Sequence, residues 1–178
     1  MNDAERSLVA VGNVRAVMAP PAPGKAPSKP TPSKKPGPGE GSSSEETTVV
    51  TAHRLIYREA SSSAAFEGGV VVTRGAWRAS SNAGTAILDK DRKVERVELT
   101  GGVAFNDAAA GRTGRADHAV DYPPEGKTIL EGKPARVTDA QGNSVAGATL
   151  TITERGRRVE VTAPEGGKTL TVHRTKRD

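Results

Sequence analysis

The chain has 178 residues, of which 34% are hydrophobic and 3% aromatic, while glycine numbers 20 and proline 12. A compact globule of this length normally carries more large apolar side chains, so the composition favours a thin, elongated core such as that of a repeat protein. The formal net charge of +5 favours anionic partners, and the absence of cysteine excludes a disulfide framework, cysteine-ligated zinc and thiol catalysis.

Residues 1–18 predict a strand-like element. Val9, Val11 and Val14 alternate with small or polar residues around Gly12, which is typical of a strand with one buried face. The chain does not begin with a basic region followed by an apolar run, and no segment approaches the roughly 20 apolar residues of a membrane span. From the strand pattern, we expect residues 1–18 to be a partial first repeat. Because no secretory signal precedes them, we expect the chain to be a truncated piece of a longer protein.

Residues 19–47 differ in composition from the rest of the chain. They hold eight of the twelve prolines, together with lysine, glycine and serine, and no large apolar residue. Proline removes backbone donors and biases the chain toward polyproline II, which disfavours both helix and sheet. We expect a disordered, solvated insertion within a repeat array, rather than a boundary between two domains.

From residue 48 onward the chain is strand-like. Runs such as Val70–Thr73, Thr149–Thr153 and Val159–Thr162 are rich in β-branched residues and are bounded by turn-forming residues. No window of helical length keeps apolar residues at spacings of three and four. Asn106–Arg115 is rich in alanine and glycine, and we expect a turn there.

A short motif recurs along this strand-like region. A large apolar residue, a polar residue and a glycine occur at Phe66–Gly68, Leu99–Gly101 and Leu130–Gly132, with the glycines 33 and 31 residues apart. Such a period indicates a repeat architecture. Glycine at the recurrent position suits a β-bulge or tight corner, where a left-handed backbone is needed.

A second strand recurs between these corners, at Thr51–Tyr57, Gly84–Asp89, Ala116–Tyr122 and Gly147–Ile152. Each repeat therefore consists of two strands with turns between them. One such unit cannot bury its own apolar face, so neighbouring units must stack.

The order and period of these motifs resemble the OstA-like family of periplasmic lipopolysaccharide-transport proteins, also called the LptA family. The resemblance spans residues 48–174, and its motifs are Phe66–Val70, Leu99–Val103, the Gly-x-Ala-x-x-Ala-x-x-Tyr strand Gly114–Tyr122, Leu130–Val137 and Val145–Ala148. It implies an all-β fold, a folded-over antiparallel sheet or β-jellyroll, over residues 48–178. It also implies an apolar trough that shields the acyl chains of lipopolysaccharide during transport to the outer membrane.

The resemblance further implies a periplasmic location and end-to-end joining, both to itself and to transport proteins of the same fold in the inner and outer membranes. We predict that the trough is lined by fourteen apolar residues: Leu55, Tyr57, Phe66, Val70, Val72, Ile87, Leu99, Val103, Phe105, Val120, Tyr122, Leu130, Leu150 and Ile152. Three basic residues are candidates for contact with lipid phosphates at its rim: Arg74, Arg78 and Lys133.

The residues themselves give no support for catalysis. No Gly-x-Ser-x-Gly elbow, P-loop or dinucleotide fingerprint occurs. His53, His118 and His173 lack carboxylates or histidines at ligand spacing, so we predict no metal site and no cofactor. The few aromatic residues are spread along the chain, which disfavours nucleic-acid binding. The alternative function is a non-enzymatic, polymerising β-solenoid scaffold similar to the bactofilins.

Overall fold

The computed structural model describes residues 6–18, 47–153, 158–162 and 170–172. These residues form one antiparallel sheet of ten strands. The strands are β1 (Ser7–Met18), β2 (Thr48–Arg58), β3 (Ser63–Arg74), β4 (Trp77–Leu88), β5 (Val94–Asp107), β6 (Arg112–Tyr122), β7 (Lys127–Asp139), β8 (Ser144–Thr153), β9 (Arg158–Thr162) and β10 (Leu170–Val172).

Each strand from β1 to β8 pairs with its neighbour in sequence, and β9 and β10 both pair with β8. This meander confirms the all-β prediction of two strands in each repeat. It excludes the β-solenoid alternative, because a β-helix stacks parallel strands, whereas every pairing among the described strands is antiparallel.

The turn between β5 and β6 is shorter than the predicted turn over Asn106–Arg115, because β5 continues to Asp107 and β6 begins at Arg112.

Residues 19–47 connect two neighbouring strands of one sheet, since β1 pairs with β2. The disordered insertion predicted there lies outside the described residues, apart from Thr47.

The recurrent glycines lie where the pairing register shifts in the middle of the long strands. Gly68 and Gly69 in β3 have φ values of +79° and +65°, and Gly101 and Gly102 in β5 have +80° and +73°. The register shifts at both positions, so the predicted β-bulges are confirmed. A non-glycine residue is strained at such φ values, which explains the glycines at 68 and 101. Gly132, the third glycine of the motif, lies beside the register shift of β7 but does not have a positive φ.

The sheet folds over along this line of bulges. Arg74 lies at the end of the sheet where β6 begins, yet its guanidinium contacts Asp121 at the opposite end of β6. In a flat sheet, nine residues of β6 would separate these ends by about 30 Å. The contact therefore requires the two halves of each strand, before and after the bulge, to face each other.

Large side chains lie over small ones on the inner face of this folded sheet. Strands β3, β5 and β7 carry most of the large inner residues. At steps of two, three and two residues, β4 buries Ala79, Ser81, Gly84 and Ala86, and β6 buries Gly114, Ala116, Ala119 and Asp121. A Cβ added to Gly84 would lie 2.9 Å from Leu99 Cδ2, and one added to Gly114 would overlap the ring of Phe105. Gly84 pairs with Leu99 and Gly114 with Phe105 on the adjacent strand, so each large side chain covers the small residue beside it.

Gly114→Ala is expected to lower the free energy of unfolding by about 1–3 kcal/mol, because the added methyl group overpacks the contact with Phe105. Urea denaturation measures the change. The same substitution in a Phe105→Leu background should be milder, since the smaller side chain leaves room. If Gly114→Ala lowers the free energy of unfolding equally in both backgrounds, the close contact between Gly114 and Phe105 is contradicted.

Candidate functional site: the interior of the folded sheet

The inner face of the sheet forms one continuous apolar core. Nine of the fourteen predicted lining residues are buried in it, with 8% or less of their surface exposed: Phe66, Val70, Val72, Leu99, Val103, Phe105, Leu130, Leu150 and Ile152. Leu55 and Tyr57 are partly buried and pack against the same core. The structure therefore brings eleven of the predicted residues together.

The prediction that Ile87, Val120 and Tyr122 lie on the inner face with the other lining residues is wrong. On β4 and β6 the neighbours Ala86, Ala119 and Asp121 are the buried residues. Because successive side chains of a strand point to opposite faces, these three predicted residues lie on the outer face. Hydrophobicity alone selected them, but the pairing register decides the face.

Several inner residues were missed by the sequence analysis. They are the larger residues Val50, Val94, Val97 and Val137, and the small residues Ala52, Ala64, Ala79, Ala86, Ala116, Ala119 and Ala135. A signal for the small residues was present: β4 has Ala79, Ser81, Gly84 and Ala86 at steps of two, three and two. The middle step is one residue longer than strict alternation allows, and it marks the position in the sequence where the strand folds over.

A polar cluster interrupts the apolar interior near one end of the sheet. Arg74 Nη1 donates a hydrogen bond of 2.7 Å to Asp121 Oδ2, and Thr128 Oγ1 donates one of 2.8 Å to Asp121 Oδ1. The Arg74 guanidinium also lies 5.5 Å from the centre of the Trp77 ring. The side chain of Asp121 is 6% exposed and that of Arg74 is 23% exposed, so this is a largely buried ion pair.

Arg74, one of the three predicted rim residues, therefore already has Asp121 as its counter-ion. The other two rim candidates lie elsewhere. Arg78 is exposed and follows Trp77 at the start of β4, and Lys133 is exposed at the corner of β7. The structure does not gather the three basic residues into one site.

A cavity of about 760 Å³ lies beside Lys133, where β7 bulges away from β8. Its lining combines charged residues with small apolar ones: Asp117, His118, Glu131, Gly132, Lys133, Pro134, Arg136, Ala146, Gly147 and Ala148. His118 Nδ1 and Glu131 Oε2 are 3.1 Å apart at its edge. The residues around this cavity are largely separate from the apolar core.

Among the residues that the structure describes, no three His, Cys, Asp or Glu side chains converge as a metal site would require. Within those same ranges, no helix has the length and apolar character to cross a membrane.

Comparison with known proteins identifies a matching family model and similar solved structures. Residues 49–157 match the family model of LptA and the N-terminal domain of LptD, described as a lipopolysaccharide (LPS) transport protein. The fold is similar to the crystal structure of LptH from Pseudomonas aeruginosa, the LptA-homologous periplasmic component of the lipopolysaccharide transport device. The TM-score is 0.63 at 20% sequence identity, and the match covers 72% of this chain and 95% of that chain. No curated protein sequence matches the chain significantly.

Proposed function

The chain belongs to the family of LptA and the N-terminal domain of LptD, which are lipopolysaccharide-transport proteins, and from that premise we propose that it is a periplasmic bridge module. In this proposal the interior of the folded sheet shields the acyl chains of lipopolysaccharide while the sugars remain outside. The module performs no catalysis and needs no cofactor, because carrying a lipid requires only a surface that excludes water.

The observation that carries this proposal is the continuity of the inner apolar face. Buried apolar residues occur on the inner face of every strand from β2 to β8, from Val50 to Ile152, and they form one cluster. Each acyl methylene moved from water into such an interior is worth about 0.8 kcal/mol when fully buried. A long acyl chain can therefore supply the affinity without a specific polar contact.

The two halves pack against each other, since the central residues of the interior are almost fully buried. Acyl chains must therefore part the two halves and replace their mutual contacts. Such an exchange is feasible because backbone pairing holds each half together independently, while side chains make the contacts between halves. We propose the eleven inner residues named above, from Leu55 to Ile152, as lipid contacts.

Basic residues are proposed to meet the lipid phosphates as charge-assisted pairs. Arg78 and Lys133 are exposed and accessible for this role. Residues 19–47 are proposed to be a spacer, since a proline-rich, glycine-rich segment of this composition cannot bury an apolar face.

Direct binding tests the proposal. Purified chain mixed with lipopolysaccharide should retain the lipid through size-exclusion chromatography, and acyl chain-free polysaccharide should not be retained. A matched pair of variants locates the site: Ala116→Leu fills the interior and should reduce retention, whereas Ala108→Leu, in the exposed turn between β5 and β6, should not. Retention of the polysaccharide alone, or no retention of the lipid, would overturn the proposal.

The edges of the sheet are proposed to join this module end to end with copies of itself and with transport proteins of the same fold. Among the described strands, β1 pairs with β2 alone, so its other edge is open. Four apolar residues of β1 are more than half exposed: Leu8, Val9, Val11 and Val17. An open, apolar edge strand favours pairing with another sheet.

Charges on this edge strand are expected to weaken self-association. The double variant Val11→Lys and Val17→Lys places two cations on β1. Natural proteins use lysine on edge strands in the same way to prevent pairing between sheets. Light scattering over a concentration series should show association of the wild-type chain and a lower average mass for this variant. Thr113→Lys, an exposed position on the interior strand β6, is the control and should associate as the wild type does. Identical behaviour of all three proteins would contradict joining through β1.

A further inference from the structure

The ion pair between Arg74 and Asp121 differs in its connectivity from the other ion pairs of the described residues. The others join residues of one strand, of neighbouring strands or of adjacent turns, such as Arg54 with Glu67 and Arg96 with Glu98. Arg74 and Asp121 come instead from β3 and β6, which are not neighbours in the sheet. This pair therefore connects one half of the folded sheet to the other.

Each ion of the pair also has a contact within its own half of the sheet. Trp77, which pairs with Arg74 in the sheet register, lies near the Arg74 guanidinium, and Thr128, which pairs with Asp121, donates a hydrogen bond to the second oxygen of that carboxylate. Of these contacts, only the one between Arg74 and Asp121 crosses between the halves, so it alone is lost when they part. When they part, both ions return to water, which compensates for the lost contact, so an ion pair of this kind separates more readily than an equivalent apolar contact.

We propose that the Arg74–Asp121 pair is a latch that holds the two halves of the sheet together, and that the anionic phosphate group of an entering lipid opens it by replacing Asp121 on the Arg74 guanidinium. Phosphate and carboxylate both suit the planar, two-pronged donor geometry of arginine. The latch rests on the proposed lipid-carrying function and adds to it how the interior is closed and what opens it.

A reversible cross-link tests whether the latch must open. Because the chain contains no cysteine, the double variant Arg74→Cys and Asp121→Cys can be joined selectively by a short bis-maleimide linker that a reductant cleaves. The linked protein should bind lipopolysaccharide about tenfold or more weakly than the unlinked protein, and cleavage of the linker should restore binding. Equal binding by the linked and unlinked forms would overturn the latch, while leaving the lipid-carrying function intact. Absence of binding by the wild-type chain would overturn both.

Trp77 provides a built-in reporter of the opening step, since it is the single tryptophan of the chain and lies next to Arg74. Lipopolysaccharide should change its fluorescence emission. An uncharged glycolipid with acyl chains should change it less than half as much, and inorganic phosphate without acyl chains should leave it unchanged. An equal response to the uncharged glycolipid would overturn the role of the phosphate group, and an equal response to inorganic phosphate would overturn the lipid as its source.

Asp121→Asn tests the latch without a cross-link. The amide has nearly the same shape and can still accept the hydrogen bond from Thr128, but it has lost the charge that holds Arg74. The variant should capture lipopolysaccharide about threefold or more faster in stopped-flow measurements of Trp77 emission, because the closed state is less favoured. A circular dichroism spectrum like that of the wild type shows that the variant is folded. An unchanged or slower rate in the folded variant would overturn the latch.

Discussion

Replacement of Arg74 by Met is expected to lower the free energy of unfolding by about 3–5 kcal/mol, because it leaves the Asp121 carboxylate buried without its counter-ion. The hydrogen bond from Thr128 remains but does not neutralise the charge. Urea denaturation at neutral pH measures the loss.

Two control variants test whether the loss of stability comes from the unpaired Asp121 carboxylate or from the removal of a cationic side chain as such. Arg78→Met removes an exposed cation four residues further along the chain and should change the free energy of unfolding by less than about 0.5 kcal/mol. The double variant Arg74→Met with Asp121→Leu should recover most of the loss, since an apolar pair of similar volume can replace a buried ion pair. A large effect of Arg78→Met, or no recovery in the double variant, would contradict the assignment.

Leu130→Ala is the second substitution with a large expected effect. Leu130 is 1% exposed and lies between Ala119 of β6 and Leu150 of β8. Truncation leaves a cavity in the interior, for which leucine-to-alanine changes lower the free energy of unfolding by about 2–5 kcal/mol. The measurement is again urea denaturation.

Ile129→Ala is the matched control for this change, because the neighbouring residue points to the outer face and is only partly buried. Its effect should be less than half that of Leu130→Ala. If the two substitutions destabilise the protein equally, the assignment of inner and outer faces on β7 is wrong.

The repeat of a large apolar residue, a polar residue and glycine predicted a stacked array of two-strand repeats, and the family resemblance predicted the folded-over antiparallel sheet. Glycines at 68 and 101 indicated bulges because only glycine accepts their positive φ values easily, and the period then gave two strands in each repeat. The faces of β3, and of β5 from Val97 onward, followed from simple alternation, whereas on β7 the buried Leu130 and Ala135 are five residues apart. Val103 and Phe105, two residues apart, are buried together as that alternation predicts.

Alternation failed on β4 and β6 because each carries one extra residue at the fold line. On β6 the buried positions are 114, 116, 119 and 121, so a period of two started from Tyr122 selects the wrong face. The ion pair between Arg74 and Asp121 could not be predicted from the sequence for a different reason. Arg74 and Asp121 are 47 residues apart, and their contact exists only after the sheet has folded over, which no local pattern encodes.

Photo-crosslinking to lipopolysaccharide tests the central claim most directly. A small diazirine amino acid placed at Phe105 lies in the interior, where the native side chain is 7% exposed, whereas one placed at the neighbouring Asn106 lies on the exposed outer face. We predict strong labelling of the lipid from position 105 and little from position 106, because acyl chains occupy only the interior. Equal labelling from both positions, or none from either while the protein is shown to be folded, would contradict a lipid-carrying interior.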